Sequence, residues 1–174
     1  MKKSEMLQAL KLLDSRLPKK VTMLIGGGSA MLLAHDVPLT TADIDGLPLS
    51  TDLSPAELDN IVKDVGQELK IGGQWYNSYF STFTYSLPKD FRDRLITVYK
   101  GKMLHALALG AEDILIMKCF AGREKDIGHA KALIKRGADT DLVEHQLDNL
   151  QGKGLPGAEN ALDFLHDLLD QLEV

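Results

Sequence analysis

The 174-residue sequence predicts an α/β (α+β) fold: a mixed sheet with flanking helices, followed by a helical C-terminal tail. Three observations predict it. β-rich runs alternate with helix-spaced apolar residues through the first part of the chain. A capping box, Ser54-Pro55-Ala56-Glu57, opens a helix in the middle of that part. From Ala111 onward every apolar pattern has helical spacing, with no further strand signal. The expected organisation is a core over residues 1–110, with a helical part over 111–174 packed on it as a single structural unit.

The elements follow in order. Met6, Leu7, Leu10 and Leu13 recur at helical spacing, and Pro18 closes that pattern before the strand-like run Val21 to Ile25. Gly26-Gly27-Gly28-Ser29 then leads into the apolar stretch Ala30 to Ala34, which reads as strand, tight turn and helix start. Asp43 to Leu47 alternates polar with apolar residues and predicts a strand with both carboxylates on one face and Ile44 and Leu47 buried. The capped helix runs to about Leu69, where Ile71-Gly72-Gly73 stops it. Strands are expected over Tyr76 to Tyr85 and Arg94 to Tyr99, with Lys100-Gly101-Lys102 turning the chain into Met103 to Leu109. The helices expected after that are Glu112 to Ala121, Glu124 to Arg136, Asp141 to Leu150 and Ala158 to Leu172. In the last, Leu162, Leu165, Leu169 and Leu172 share one face.

Composition narrows the class. Apolar residues make up 44% and charged residues 26%, a globular balance that excludes a disordered or fibrous chain. The one cysteine, Cys119, excludes an intrachain disulfide and a cysteine-rich metal site, and a reducing, cytoplasmic setting is expected. No apolar stretch approaches the roughly 18 residues of a membrane span, so no membrane partner is expected. A net charge of −5 gives no overall attraction to a polyanion. Such a partner would have to meet the basic segment formed by Lys118, Arg123, Lys125, Lys131, Lys135 and Arg136.

Two groups of residues carry candidate chemistry. A Gly-Ser turn at a helix start presents backbone N–H groups and the positive end of the helix dipole to an anion, and Gly26 to Ser29 has the form to hold a triphosphate. The same glycines also make a simple tight turn, and no Walker Gly-Lys-Ser/Thr follows them. Asp43 and Asp45, one residue apart, repel each other on one strand face unless a hard divalent cation lies between them. An Asp-x-Asp also ends strands in solvent. The glycine loop upstream is what makes a metal–phosphate reading specific, because Mg²⁺ typically completes its shell with waters and phosphate oxygens.

Leu24-Ile25-Gly26-Gly27-Gly28-Ser29-Ala30, followed by Thr41-Ala42-Asp43-Ile44-Asp45, resembles the signature of the minimal nucleotidyltransferases. The abortive-infection (AbiEii-type) toxin enzymes and their uncharacterised relatives belong to that group. Ala111 to Asp126, a helix with an inward Lys118 followed by Arg123-Glu124-Lys125-Asp126, resembles the second conserved region of the same group. The resemblance implies a nucleotidyltransferase-fold mixed sheet over 1–110, with Asp43 and Asp45 as catalytic residues and as ligands of Mg²⁺ or Mn²⁺. It also implies a nucleoside triphosphate held by Gly27, Gly28, Ser29, Thr41, Lys118, Arg123, Lys125 and Asp126. The implied reaction transfers a nucleoside monophosphate to an RNA, protein or small-molecule acceptor by in-line displacement at the α-phosphate. Read without the resemblance, Lys118 either snorkels out of its apolar run or meets a counter-charge, and Arg123, Lys125 and Asp126 form a solvated helix connection.

The sequence departs from that group at two places. Leu39 stands where an arginine often precedes the threonine. Active members usually add a third carboxylate from a later strand, whereas Gln74 to Ser86 offers only Asn77 and hydroxyl residues, and Asp90 and Asp93 come later. The competing reading is therefore a catalytically degenerate nucleotide- or partner-binding protein of a toxin–antitoxin or defence system. The five histidines show no paired metal-ligand spacing, Cys119 reads as an inert core thiol, and Ser29 lacks the Gly-x-Ser-x-Gly context of an acyl-transfer nucleophile.

Overall fold

A computed structural model describes residues 1–172. The chain divides into two compact units, one made of Met1–Ser81 with Leu95–Leu109, the other of Thr82–Arg94 with the chain from Gly110 onward. The first contains α1 (Lys3–Arg16), β1 (Val21–Ile25), α2 (Gly27–Ala34), β2 (Ile44–Thr51), α3 (Pro55–Glu68), β3 (Tyr76–Asn77), β4 (Ile96–Lys100) and β5 (Leu104–Ala108). The five strands form one mixed sheet in the order β3-β2-β1-β5-β4. β1 lies antiparallel to β2 and parallel to β5, β3 runs parallel to β2, and β4 pairs antiparallel with β5.

Local chemistry sets these elements. In β1, Val21, Met23, Leu24 and Ile25 are buried, as suits a strand with neighbours on both sides. Opposite it, Pro48 has no N–H to give the ladder, and the β1–β2 register slips there: Met23 faces Pro48 while Thr22 faces Ser50. The capping box at Ser54 is present in both directions, with Pro55 at the first helical position. Gly66 stands inside α3 where Trp75 packs against the helix; a Cβ at Gly66 would stand 2.7 Å from Trp75 Cδ1. The Trp75 indole N–H donates to the Val62 carbonyl at 2.7 Å. At the β4–β5 turn, Asp14 of α1 accepts the N–H groups of Met103 at 2.7 Å, Leu104 at 2.6 Å and Lys102 at 3.2 Å.

The second unit is helical: α4 (Ala111–Ala121), α5 (Glu124–Lys135), α6 (Thr140–Gly152) and α7 (Ala158–Leu172). Helix α4 packs against each of the other three, so Asp113 to Cys119 is buried without a break. This explains an apolar run with no amphipathic face. Gly122, at φ +56°, ends α4 in the left-handed conformation that favours glycine. No helix among the described residues is long and apolar enough to cross a membrane.

Four details correct the sequence reading. The strand expected over Tyr76 to Tyr85 lasts only for Tyr76–Asn77, and Tyr79–Ser86 is a 3₁₀ helix. There Tyr79, Thr82 and Tyr85 are exposed while Phe80 and Ser86 are buried and Phe83 half-buried, a repeat of three rather than the two of a strand. Arg94 belongs to a second 3₁₀ turn, Phe91–Arg94, and β4 begins at Ile96. Asp43 precedes β2 rather than lying in it, and the positions buried behind Asp45 are Ile44 and Gly46, with Leu47 only half-buried. In α7 the buried face takes Leu162, Leu165 and Leu168 rather than Leu169.

Candidate functional site

The end of β1, the start of α2 and the start of β2 meet in the first unit. Ile25 faces Gly46 in the ladder, and the N–H of Gly26 donates to the Asp45 carbonyl at 2.9 Å. Gly27 and Gly28 are then the first two residues of α2. The first amides of a helix have no acceptor within it, and the helix dipole adds positive potential at the same place.

Gly27 adopts φ +55°, and a Cβ there would overlap Asp45 Oδ2 and stand 2.8 Å from Cγ. The Asp45 carboxylate therefore lies directly against the glycine loop. At Gly28 a Cβ would stand 3.6 Å from Thr41 Cβ, so the loop carrying Thr41 lines the other side of the turn. Aromatic rings close in on two further glycines: a Cβ at Gly26 would stand 2.5 Å from Phe80 Cδ2, and one at Gly46 would stand 2.9 Å from Tyr76 Cζ. The glycines keep loop, carboxylate and rings within contact, a requirement their sequence reading as a tight turn does not reveal.

Ser29 is fully buried and acts as a latch. Its hydroxyl donates to the Gly26 carbonyl at 2.8 Å and accepts the Asp45 N–H at 3.0 Å. A hydroxyl has one proton, so the donors left to face an anion at this turn are backbone N–H groups. Thr41 makes its closer contact, at 3.3 Å, with the Asp43 carbonyl, and reaches Asp43 Oδ1 at 3.5 Å.

Asn77 is the residue whose place the sequence alone leaves open. β3 sets it opposite Asp45 in the register, and its amide nitrogen donates to Asp43 Oδ2. Its own carbonyl accepts the Tyr79 N–H at 3.0 Å. The later strand thus brings a neutral carboxamide, and no acid, to the carboxylate pair. Among the described residues no group of three or more His, Cys, Asp or Glu is placed to hold a metal ion. Two carboxylates, as Asp43 and Asp45 would supply, suit a cation that leaves the rest of its shell to water and phosphate oxygens.

The second unit holds the other residues singled out. Lys118 is buried and donates to Asp126 Oδ1 at 2.8 Å and to His129 Nδ1 at 3.1 Å. An ammonium group only donates, so His129 Nδ1 accepts and its proton rests on Nε2. Arg123 grips the same Asp126 at 2.6 Å and 3.3 Å. Burial works against the Asp126 charge, but Arg123 and Lys118 hold the carboxyl below its ordinary range. Burial and the nearby ammonium lower the His129 imidazole, and burial pushes the Cys119 thiol up to about 12. Lys125 is exposed and forms no ion pair among the described residues. Asp90 is engaged by Arg94, which also holds the buried Asp113 at 2.8 Å and 3.0 Å. Burial nonetheless keeps the Asp113 carboxyl above its ordinary value.

Compared with known families, residues 4–152 match the sequence profile of one described as a nucleotidyltransferase of unknown function (DUF6036). The chain belongs to that family. Its profile covers the chain from α1 to the end of α6, taking in the glycine loop, both aspartates and the Lys118–Asp126 pair, and leaves α7 outside. No curated protein and no solved structure matches the chain.

Proposed function

We propose that the first unit is a metal-dependent nucleotidyltransferase core, in which Asp43 and Asp45 hold Mg²⁺ or Mn²⁺ beside a nucleoside triphosphate. One observation carries this reading: the Asp45 carboxylate lies against Gly27, so the candidate metal ligand and the candidate phosphate donors share one point of the fold. The amides of Gly27, Gly28 and Ser29 are the phosphate donors, and Thr41 borders them. Ser29 contributes chiefly by latching the loop to β2.

The bound cation would supply charge neutralisation at the phosphates. The chain's own residues orient the α-phosphate for in-line attack by an acceptor hydroxyl or amine on RNA, protein or a small molecule. The resemblance also assigns a group in the second unit, Lys118, Arg123, Lys125 and Asp126, to the triphosphate. Because Lys118 already spans Asp126 and His129, Arg123 and Lys125 are the cations of that group exposed to solvent.

A second reading, nucleotide binding without turnover, is favoured by Asn77, whose amide contacts Asp43 where a further carboxylate would complete a stronger metal site. That form suits a toxin–antitoxin or defence protein of the cytoplasm, akin to the abortive-infection type. Incubation with α-labelled nucleotide, Mg²⁺ and cell extract separates the two. Label transferred by the parent and lost in Asp45→Asn establishes the enzyme. Metal-dependent nucleotide binding without transfer establishes the binding protein.

A further inference from the structure

We infer that Asn77 determines which divalent cation the aspartate pair accepts, by engaging one oxygen of Asp43 and leaving it a one-oxygen ligand. The inference rests on the metal reading given above. Three contacts carry it. The Asn77 amide nitrogen donates to Asp43 Oδ2. The Tyr79 N–H donates to Asn77 Oδ1 at 3.0 Å, which fixes the carboxamide with its nitrogen toward Asp43 and rules out the flipped orientation. Thr41 Oγ1 reaches the other oxygen, Oδ1, only at 3.5 Å and lies closer to the Asp43 carbonyl, so Oδ1 is weakly held.

The consequence follows from ion chemistry. Mg²⁺ and Mn²⁺ are satisfied by one oxygen from each carboxylate in an octahedral shell completed by water and phosphate. Ca²⁺ favours six to eight oxygens and readily takes a carboxylate through both. An Asp43 with Oδ2 hydrogen-bonded offers the first mode and withholds the second. Its backbone support acts the same way, since β3 pairs with β2 across Ile44 and Asp45 and fixes where Asn77 stands. Asn77 is thus a positioning residue that acts through Asp43.

The test is a calorimetric titration of the full chain with MgCl₂ and with CaCl₂, each in the presence of a nonhydrolysable ATP analogue, for the parent, Asn77→Ala and Asn77→Ser. Melting curves without cation establish that each variant is folded, and the serine variant keeps a polar residue on the strand should alanine fail to fold. The parent should prefer Mg²⁺, and the Mg²⁺-to-Ca²⁺ affinity ratio should fall by about tenfold or more in the folded variants. An unchanged ratio overturns the inference while leaving the metal site standing. A parent that binds neither cation overturns the metal reading and this inference with it.

Discussion

The Asp45 carboxylate lies over the bare α-carbon of Gly27, with its Cγ 2.8 Å from where a Cβ would stand. Gly27 also sits at φ +55°, so alanine there is strained twice, by its backbone and by its neighbour. Gly27→Ala should cost about 2 kcal/mol of stability and displace the carboxylate from the loop. Urea unfolding measures the first effect and nucleotide titration with Mg²⁺ the second. A variant as stable as the parent, with unchanged binding, would contradict the geometry.

Asp126 holds two cations, the buried Lys118 and the solvent-exposed Arg123. Removing Asp126 strands a buried ammonium, whereas removing Lys118 leaves Asp126 with Arg123. Asp126→Leu should therefore cost about 3–5 kcal/mol and Lys118→Met less, and the double variant should recover part of the loss. Denaturant melts of the three variants check the order. A Lys118→Met protein as stable as the parent but weakened in triphosphate binding would instead give Lys118 a phosphate role beyond its structural one.

Asp14 gives the pH dependence a definite sign. Burial alone would raise its carboxyl, but the N–H groups of Leu104, Met103 and Lys102, with the Tyr99 hydroxyl, hold it below its ordinary value of 3.8. A carboxyl lowered by folding adds stability that is fully present above the unfolded value and is lost as pH falls toward the folded one. Asp14→Asn should lower the melting temperature at neutral pH, and the gap to the parent should narrow below about pH 4. Circular dichroism melts across that range read both effects, and a gap that widens in acid would contradict the assignment.

Tyr76 has a buried hydroxyl with no hydrogen-bond partner among the described residues, and burial raises its pKa. Its ring closes on Gly46, so packing rather than the hydroxyl explains the side chain. Tyr76→Phe should stabilise the protein by about 1 kcal/mol, because it removes an unsatisfied polar group and keeps the ring. Thermal melting checks this, and destabilisation would reveal a partner for the hydroxyl.

Where the sequence was informative, a local rule was strong. Ser54 to Glu57 marks the start of α3 because capping is decided within four residues, and the closeness of Asp45 to the glycine loop is legible because both lie in short motifs. What escaped was set by pairing at a distance. Asn77 reaches Asp43 only through the β2–β3 ladder, and Ser29 shows its latch only once β1 and β2 are adjacent. The 3₁₀ segment Tyr79–Ser86 misleads because its aromatic and hydroxyl residues have strand propensity, while its burial repeats every three residues. Arg94 and Asp113 form an ion pair that no local spacing announces.

The central claim is that Asp43 and Asp45 form a cation site beside a triphosphate cradle. The most direct measurement is a set of melting curves for the parent and Asp45→Asn, each with and without Mg²⁺ and ATP. Mg²⁺ with ATP at about a hundred times the dissociation constant should stabilise the parent by about 2.7 kcal/mol, a rise of several degrees. Asp45→Asn should show no such rise, and its unliganded form should melt close to the parent. A parent indifferent to Mg²⁺ and ATP, together with a clearly destabilised Asp45→Asn, would contradict the site and leave the carboxylate pair a purely structural feature.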